Sequence, residues 1–317
     1  KVRQLIINAV PMDLKYAIVV GIGAFIAFIG MKSCGLVAAS PATFVTLGNL
    51  GDPKVLLSVA GIFLIGALLS LRVPGAMIIG IVTIAIAGMV LGVSQVPQGR
   101  IFNASLPLPT ETFMAMDLKG ALHHGLISII FTLTMVDLFD NMGVLIGLSQ
   151  KAGFIREDGH IENLDKALIS DSIATMASAV MGATTSTSYL ESAAGVVEGG
   201  RTGLTAVTIA VLFFLTLFFA PVIGMAPAYA TAPVLIIVGA MMMQEVGRIK
   251  FKDFTVALPA FLTIISMPLT FNIATGFGFG FVSWVGIKVL SGRFKDLNIV
   301  MLIIALCFVI NFALRLH

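Results

Sequence analysis

The sequence predicts an all-α polytopic membrane protein, and three observations lead to that fold class. Apolar residues make up 58% of the 317 residues, and charged residues only 11%, whereas a soluble domain has about a quarter charged residues. The 32 glycines fit transmembrane helices, in which glycine is commoner than in soluble ones. Long apolar runs also recur along the chain. The net charge of +3 is too small to indicate a nucleic-acid partner.

About ten apolar runs approach the 20 residues that a helix needs to cross the hydrocarbon core. They cover residues 16–31, 55–71, 75–94, 122–148, 167–183, 203–225, 228–246, 254–272, 276–289 and 297–314. Prolines at 221, 233, 259 and 268, and the sequence GFGFGF at 276–281, predict interruptions in several of these helices.

The charged residues lie mainly between the apolar runs, the longest charged loop being 151–166. The loops 247–253 and 291–296 are basic, whereas 95–120 has fewer cations. By the positive-inside rule we expect the two basic loops in the cytoplasm and 95–120 outside. A true span at 297–314 would then leave the C-terminus outside.

Two acids interrupt the run 122–148, in the sequence VDLFDNMG. Asp137 and Asp140 are three residues apart, so a helix places them on one face. An acid at mid-bilayer costs about 2.5–3.5 kcal/mol on insertion scales. Each acid is therefore expected either to have a function or to bond the end of one helix to its neighbours. One of the two acids could also merely support the other.

A polar tract, GATTSTSYLESAAGVVEGGRTG at 182–203, stands between two apolar runs. Its β-branched and hydroxyl residues favour extended backbone, so we predict a short extended segment at 184–190. A half-helix would follow, with Glu191 near its start. The free N–H groups of such a helix start can stabilise a carboxylate and a ligand. A surface loop is the simpler alternative, but the tract carries little charge besides Glu191.

The remaining motifs exclude common enzymes. The sequence has no Walker motif, zinc-ligand spacing, nucleophile elbow or GxGxxG, and its two cysteines are expected to be free thiols. His123 and His124 fit an interfacial pair better than a proton relay. The chain opens without Met, so we expect it to begin inside a longer protein.

Three segments carry a resemblance to a known family. VDLFDNMGVLIG, TTSTSYLESAAGVVEGGRTGLTAV and ATAPVLIIVGAMM resemble signature segments of the AzgA-like adenine/guanine/hypoxanthine permeases, a branch of the nucleobase–cation symporters. The resemblance covers essentially the whole chain.

The resemblance implies a fold of fourteen spans in two inverted seven-span repeats, of which about four N-terminal spans are absent here. On that arrangement residues 1–95 are gate-domain spans of the first repeat, and 121–225 are core-domain spans with the substrate site. Residues 228–317 are gate-domain spans of the second repeat.

The resemblance also implies a site in the core. Asp140 and Glu191 would bind the base, together with Asn141, Ser188, Tyr189 and Leu190, whose backbone N–H can serve a ring nitrogen. Glu191, Asp140 and Asp137 are the candidates for proton coupling. The sequence FDNMGVLIG departs from many relatives after the glycine, which leaves the purine preference open.

The expected function is therefore import of adenine, guanine or hypoxanthine across the plasma (inner) membrane. We expect coupling to H⁺, with Na⁺ as the alternative, no further cofactor or metal, and an assembly in lipid as a homodimer. Two alternatives from other classes stay open. One is an anion transporter of related inverted-repeat fold, which Glu191 disfavours. The other is an intramembrane aspartyl protease, disfavoured because Asp137 and Asp140 share one helix.

Overall fold

The computed structural model describes most of the chain. The described residues are 9–94, 110–117, 119–120, 163–189, 192–197, 199–219 and 226–314, with 130, 133–134, 137, 141, 144–145, 148–149, 152–154 and 161. Among them, the helices are α1 Met12–Ser33, α2 Pro53–Ser70, α3 Ala76–Val90, α4 Leu164–Val180, α5 Ser192–Val197, α6 Gly203–Thr216, α7 Ala228–Met242, α8 Phe254–Leu269, α9 Ile273–Leu290 and α10 Ile299–Leu314. Two strands, β1 Val37–Ser40 and β2 Phe44–Leu47, form an antiparallel hairpin.

Four helical segments within the described ranges are long and apolar enough to cross a membrane: Met12–Ser33, Pro53–Ser70, Ala228–Arg248 and Ile273–Leu290. The stretch Ala228–Arg248 consists of α7 and a 3₁₀ turn, Met243–Arg248. Shorter apolar helices cover 76–90, 203–219, 254–269 and 299–313. The prediction of a mostly helical polytopic membrane protein is confirmed, and the predicted runs match these helices to within a few residues.

The predicted helix interruptions in the second half of the chain are wrong where the structure describes them. Pro233 lies inside α7, and Pro259 and Pro268 lie inside α8. The sequence GFGFGF at 276–281 is wholly within α9. Neighbouring helices and hydroxyl side chains can take over the carbonyl groups that a proline frees, so the helices continue. Pro221 lies outside the described residues.

Helix α1 packs tightly against α7 through small residues. A Cβ added at Gly23 of α1 would lie 2.7 Å from the Cβ of Met242 and 2.8 Å from the carbonyl oxygen of Gly239. Helix α8 packs on another side of α1, where a Cβ at Gly21 would lie 2.7 Å from the sulfur of Met267. Small residues let the backbones approach, and that approach takes the place of the hydrophobic effect in driving helix association in lipid.

This packing brings elements of residues 1–95 together with elements of 228–317. The largest buried cluster contains Leu14 and Ile18 from α1, Met267 from α8 and Phe277 and Phe281 from α9. A smaller cluster joins α2, α3 and α7. The division into two gate-domain parts and one core part stays a prediction.

Pro233 leaves one carbonyl of α7 without its usual helical donor, and another helix supplies the missing bond. A proline has no N–H to offer the carbonyl four residues earlier, which here belongs to Tyr229. The hydroxyl of Ser58 on α2 donates to that carbonyl oxygen at 2.8 Å. The Tyr229 hydroxyl is in turn 2.8 Å from the Ser94 hydroxyl and lies against Gly88 of α3. One buried tyrosine thus ties three helices together.

The two basic loops meet at one end of the helices, called here the basic end. The backbone N–H of Lys250 donates to the carboxylate of Asp13 at the start of α1, at 3.0 Å. A guanidinium nitrogen of Arg293 is 2.6 Å from the carboxylate of Asp253. Hydrogen bonds from Thr255 and from Arg293 lower the pKa of Asp253 to about 2. This meeting of 247–253 with 291–296 agrees with the positive-inside pattern, and we place the basic end in the cytoplasm.

Lys288 is a buried cation near the basic end of α9. Its side chain is 3% exposed, and its ammonium lies 2.9 Å from the carboxylate of Asp296 and 5.3 Å from the centre of the Trp284 ring. The hydrogen bond from Lys288 lowers the pKa of Asp296. The pair anchors the turn between α9 and α10.

Replacing Ser58 with alanine is expected to destabilise the helix bundle, because the Tyr229 carbonyl would then be buried without its donor. Hydrogen bonds between membrane helices contribute about 0.6 kcal/mol on average and up to about 1.7 kcal/mol. We expect a loss of about 1 kcal/mol in the free energy of unfolding, measured by equilibrium denaturation in mixed micelles.

Ser70→Ala is the matched control, since Ser70 stands at the end of the same helix and its hydroxyl bonds only to the nearby Ala67 carbonyl at an exposed position. It should change the free energy of unfolding by less than about 0.5 kcal/mol. Equal effects of the two substitutions would contradict the bridging role of Ser58.

Candidate functional site

The predicted site residues divide between the described and the undescribed parts of the chain. Asp140, Leu190 and Glu191 lie outside the described residues, so their assignment stays a prediction. Asn141, Asp137, Ser188 and Tyr189 are described. These described neighbours give the local structure near Asp140 and Glu191 in the sequence.

Asp137 and Asn141 are both buried in a helical stretch. Their exposed fractions are 5% and 1%, and a separation of four residues places them on one helix face. Neither the amide nitrogen nor the amide oxygen of Asn141 has a hydrogen-bond partner among the described residues. A buried polar group without a partner is costly, so the Asn141 amide is a candidate for contacting a ligand. It offers two donors and one acceptor oxygen.

The polar tract behind α4 is irregular, as the residue types predict. Residues 183–189 belong to neither helix nor strand. At their start, Gly182 takes a positive φ of 76°, which suits glycine at a helix end. The backbone N–H groups of Gly182 and Ala183 donate to the carbonyls of Ala179 and Ser178. These bonds turn the chain back at the end of α4.

The irregular segment then runs back along α4. The hydroxyl of Thr175, more than a turn before the end of α4, donates to the carbonyl oxygen of Ser186 at 3.0 Å. Ser188 is half-buried, whereas Tyr189 is 66% exposed. The segment therefore turns back at the end of α4 and runs along it towards the middle of that helix.

The direction of α4 follows from its neighbours. The backbone N–H of Met114 donates to the carbonyl of Val180 at 2.8 Å, and the Thr112 hydroxyl donates to the carbonyl of Met181 at 3.0 Å. Both belong to the loop 95–120, which the charge pattern places outside. The irregular segment thus turns back from the outer end of α4 towards mid-membrane.

Asp171 is a buried acid that was not among the site residues predicted from the sequence. It lies on α4 with 8% exposure, one turn before Thr175 and on the same face. Four helical residues span about 6 Å, and two extended residues span nearly the same length. We therefore expect Asp171 to lie near the level of Ser188, two residues before Leu190 in the sequence. Its only sequence signal was an acid inside the apolar run 167–183.

The described part of the predicted half-helix is α5, Ser192–Val197. Gly199 follows with a φ of 101°, a left-handed conformation that suits glycine after a helix. Glu191 directly precedes the described helical residues in the sequence.

Irregular backbone and buried polar side chains of this kind are suited to binding a small polar solute. The described residues contribute the irregular segment 183–189, the buried amide of Asn141 and the buried acids Asp137 and Asp171. Irregular backbone at membrane depth is tolerated only where it is buried in protein or lines a cavity. Intramembrane acids of this kind mark substrate or ion pathways.

Comparison with known proteins agrees with a transport role. The Xan_ur_permease model, described as a permease family, matches residues 1–279. The putative permease MJ0326 of Methanocaldococcus jannaschii is 46% identical over 98% of this chain and 71% of its own length. The adenine permease AdeQ of Escherichia coli K12 is 39% identical over 99% and 70%, respectively.

A third relative, the guanine/hypoxanthine permease PbuO of Bacillus subtilis, is 39% identical over 98% of this chain and 72% of its own length. The match to the family model covers far more than half of the chain, and these relatives align with nearly all of it. Together with the apolar helices, they establish an integral plasma-membrane protein that transports rather than catalyses. The chain belongs to the Xan_ur_permease family.

Proposed function

We propose that this protein imports purine nucleobases by secondary active transport coupled to H⁺. The single observation that carries the proposal is the similarity of almost the whole chain to permeases named for adenine and for guanine/hypoxanthine. The amide of Asn141, which is buried and has no hydrogen-bond partner among the described residues, follows the predicted acid Asp140 in the sequence and supports the proposal.

Purine recognition follows from the chemistry of the ring edge. A neutral purine carries N–H donors and ring-nitrogen acceptors around a flat ring. In the proposed site Asp140 and Glu191 accept the N–H groups, while the backbone N–H of Leu190 and the amide of Asn141 serve the acceptors. Bonds to ionised carboxylates are roughly twice as strong as neutral ones, and a base without the matching donor would leave an acid unpaired.

Coupling to H⁺ follows from the low dielectric of the site. A carboxyl group removed from water holds its proton more tightly than an exposed one. We infer that Glu191 or Asp140 takes up a proton from outside with the base and releases it inside, with Asp137 in support. Na⁺ is the alternative driving ion. We also propose a homodimer in the lipid bilayer, which the resemblance implies.

Uptake measurements on vesicles separate the proposed function from its alternatives. We expect concentrative uptake of labelled adenine, guanine or hypoxanthine when the outside is acidified, and none of sulfate. A purine with a donor at the wrong ring position should lose about 100-fold or more in apparent affinity. Sulfate uptake without purine uptake would establish an anion transporter instead, and transport of uracil alone would exclude the purine assignment.

Glu191→Gln and Asp140→Asn test the two acids. Each is expected to lower initial purine uptake by about 100-fold, because a charge-assisted bond becomes a neutral one in a buried site. The variant that lacks the proton-carrying acid should lose uptake driven by the proton gradient, while it still exchanges bound base across the membrane. Glu198→Gln, seven residues beyond Glu191 in the same tract, is the control and should transport like the parent. Parental uptake by Glu191→Gln would remove that acid from the mechanism.

Asn141→Ala tests the buried amide. If the Asn141 amide bonds to the base rather than to the protein, its removal should leave the ligand-free protein equally or more stable. Base binding should fall by about 10-fold or more through the lost hydrogen bonds. The pair of measurements is thermal stability without base and binding of labelled base to purified protein.

The control is Asn272→Ala, because the Asn272 side chain caps α9 by accepting from the Thr275 N–H at 3.2 Å. This variant should lower stability by about 1 kcal/mol and leave base affinity unchanged. Reduced stability with unchanged base binding in Asn141→Ala would mean that Asn141 is a structural residue.

A further inference from the structure

The hairpin β1–β2 stands between two membrane-crossing helices and has one apolar face. Its pairing places Val37 opposite Leu47 and Ala39 opposite Val45, and directly opposed residues of an antiparallel pair point to the same side. The other side carries Ala38 with Thr46 and Ser40 with Phe44. One face of the hairpin is therefore wholly apolar and the other is mixed, and the hairpin is too short to form a core of its own.

The hairpin exposes this apolar surface. Val45 is 42% exposed, Leu47 is 64% exposed and Phe44, at the tip, is 87% exposed. Residues 33–51 carry no charged side chain at all. Strands that face water at a sheet edge are normally protected by charges, often lysine. The absence of such charges indicates that this segment does not stand in bulk water.

Phe44 is also held in an unusual backbone conformation. Its φ of 64° is in the left-handed region, where glycine or asparagine usually closes a three-residue hairpin loop. A bulky aromatic residue there is disfavoured. The loop is otherwise well satisfied, since the Thr43 hydroxyl donates to the carbonyl of Val45 at 2.9 Å. An aromatic side chain at a position that favours glycine suggests a use for the ring.

Short, fixed links hold the hairpin near the membrane surface. Only three residues separate the end of α1 at Ser33 from β1, and five separate β2 from Pro53. The backbone N–H of Gly48 donates to the carbonyl of Leu36 at 2.9 Å, which closes the hairpin base. The headgroup layer on each side of the hydrocarbon core is about 5–8 Å thick, so a hairpin lying flat at this base stays within it.

The hairpin is at the end of the helices opposite to the basic end. The first turn of α1 lies at the basic end, where Asp13 accepts a hydrogen bond from the Lys250 N–H. The last turn of α1 lies at the opposite end, where the Lys32 ammonium is 4.5 Å from the centre of the Phe271 ring.

Lys32 precedes the uncharged segment, and Asp52, the N-cap of α2, and Lys54 follow it. The two ammonium groups can reach phosphate groups. On α2, which follows directly, Leu56 and Phe63 are 54% and 74% exposed and continue the apolar surface.

We propose that the hairpin β1–β2 lies flat in the outer membrane interface, with the face formed by Val37, Ala39, Val45 and Leu47 on the lipid. The occupant of this face is the phospholipid boundary between headgroups and acyl chains. Phe44, at the tip and on the other face, serves as an aromatic anchor at headgroup level, where aromatic side chains are enriched. The backbone groups on the strand edges remain hydrated there, as they could not in the hydrocarbon core.

Tryptophan fluorescence in reconstituted vesicles tests the proposal. Val45→Trp and Thr46→Trp place a reporter on opposite faces of the same strand, and the unaltered protein with its buried Trp284 gives the background signal. Both positions are exposed, so both variants should fold. The probes are phosphatidylcholine brominated near the top of the acyl chains and iodide in the external solution.

We expect brominated lipid to quench the added fluorescence of Val45→Trp at least about two-fold more strongly than that of Thr46→Trp, with iodide giving the reverse order. Strong iodide quenching at both positions would show that the hairpin stands in water and would overturn the proposal. Weak quenching of Val45→Trp by both agents would show that protein covers the face, which would overturn it equally.

Phe44→Gly, combined with Val45→Trp, tests the anchor separately. Glycine accepts the positive φ without cost, so the hairpin should persist while lipid quenching at position 45 falls about two-fold. Unchanged quenching would overturn the role assigned to Phe44.

Discussion

The need to satisfy backbone polar groups without water constrains every part of this structure. Within the membrane a helix satisfies its own N–H and C=O groups, so any departure requires a partner from elsewhere. Pro233 frees the Tyr229 carbonyl, and Ser58 from another helix takes it up. This requirement converts a local defect in one helix into a specific contact between two helices, and it fixes their relative position.

The same constraint shapes the candidate site. Residues 183–189 leave the helical conformation and run back along α4, where Thr175 binds the Ser186 carbonyl. Irregular backbone at membrane depth is tolerated where it is buried in protein or lines a cavity. Asn141 and Asp171 are further buried polar side chains of the described residues, and in a permease such groups can receive a solute that must shed its own water.

Residue patterns predicted the helices better than their details. Apolar runs located the spans because about 20 apolar residues can be stable in only one arrangement in lipid. The predicted helix interruptions at Pro233, Pro259 and Pro268 were wrong, because a helix can continue through a proline when other groups bond to the carbonyls that the proline frees. The hairpin β1–β2 was missed because residues 33–51 are too apolar for an ordinary loop and too short for a span. Asp171 was missed because no periodicity marks the face on which it lies.

The sequence by itself determined that this chain crosses a membrane, where its apolar runs lie, and, through its resemblance to AzgA-like permeases, that its relatives are purine permeases. Composition and run length are local properties, and the bilayer imposes the same requirement on every run. Only the tertiary structure decided that Pro233, Pro259 and Pro268 lie in continuous helices, that Ser58 bonds to the Tyr229 carbonyl, and that residues 183–189 run back along α4. The last two depend on hydrogen bonds between different segments of the chain, which no local pattern encodes.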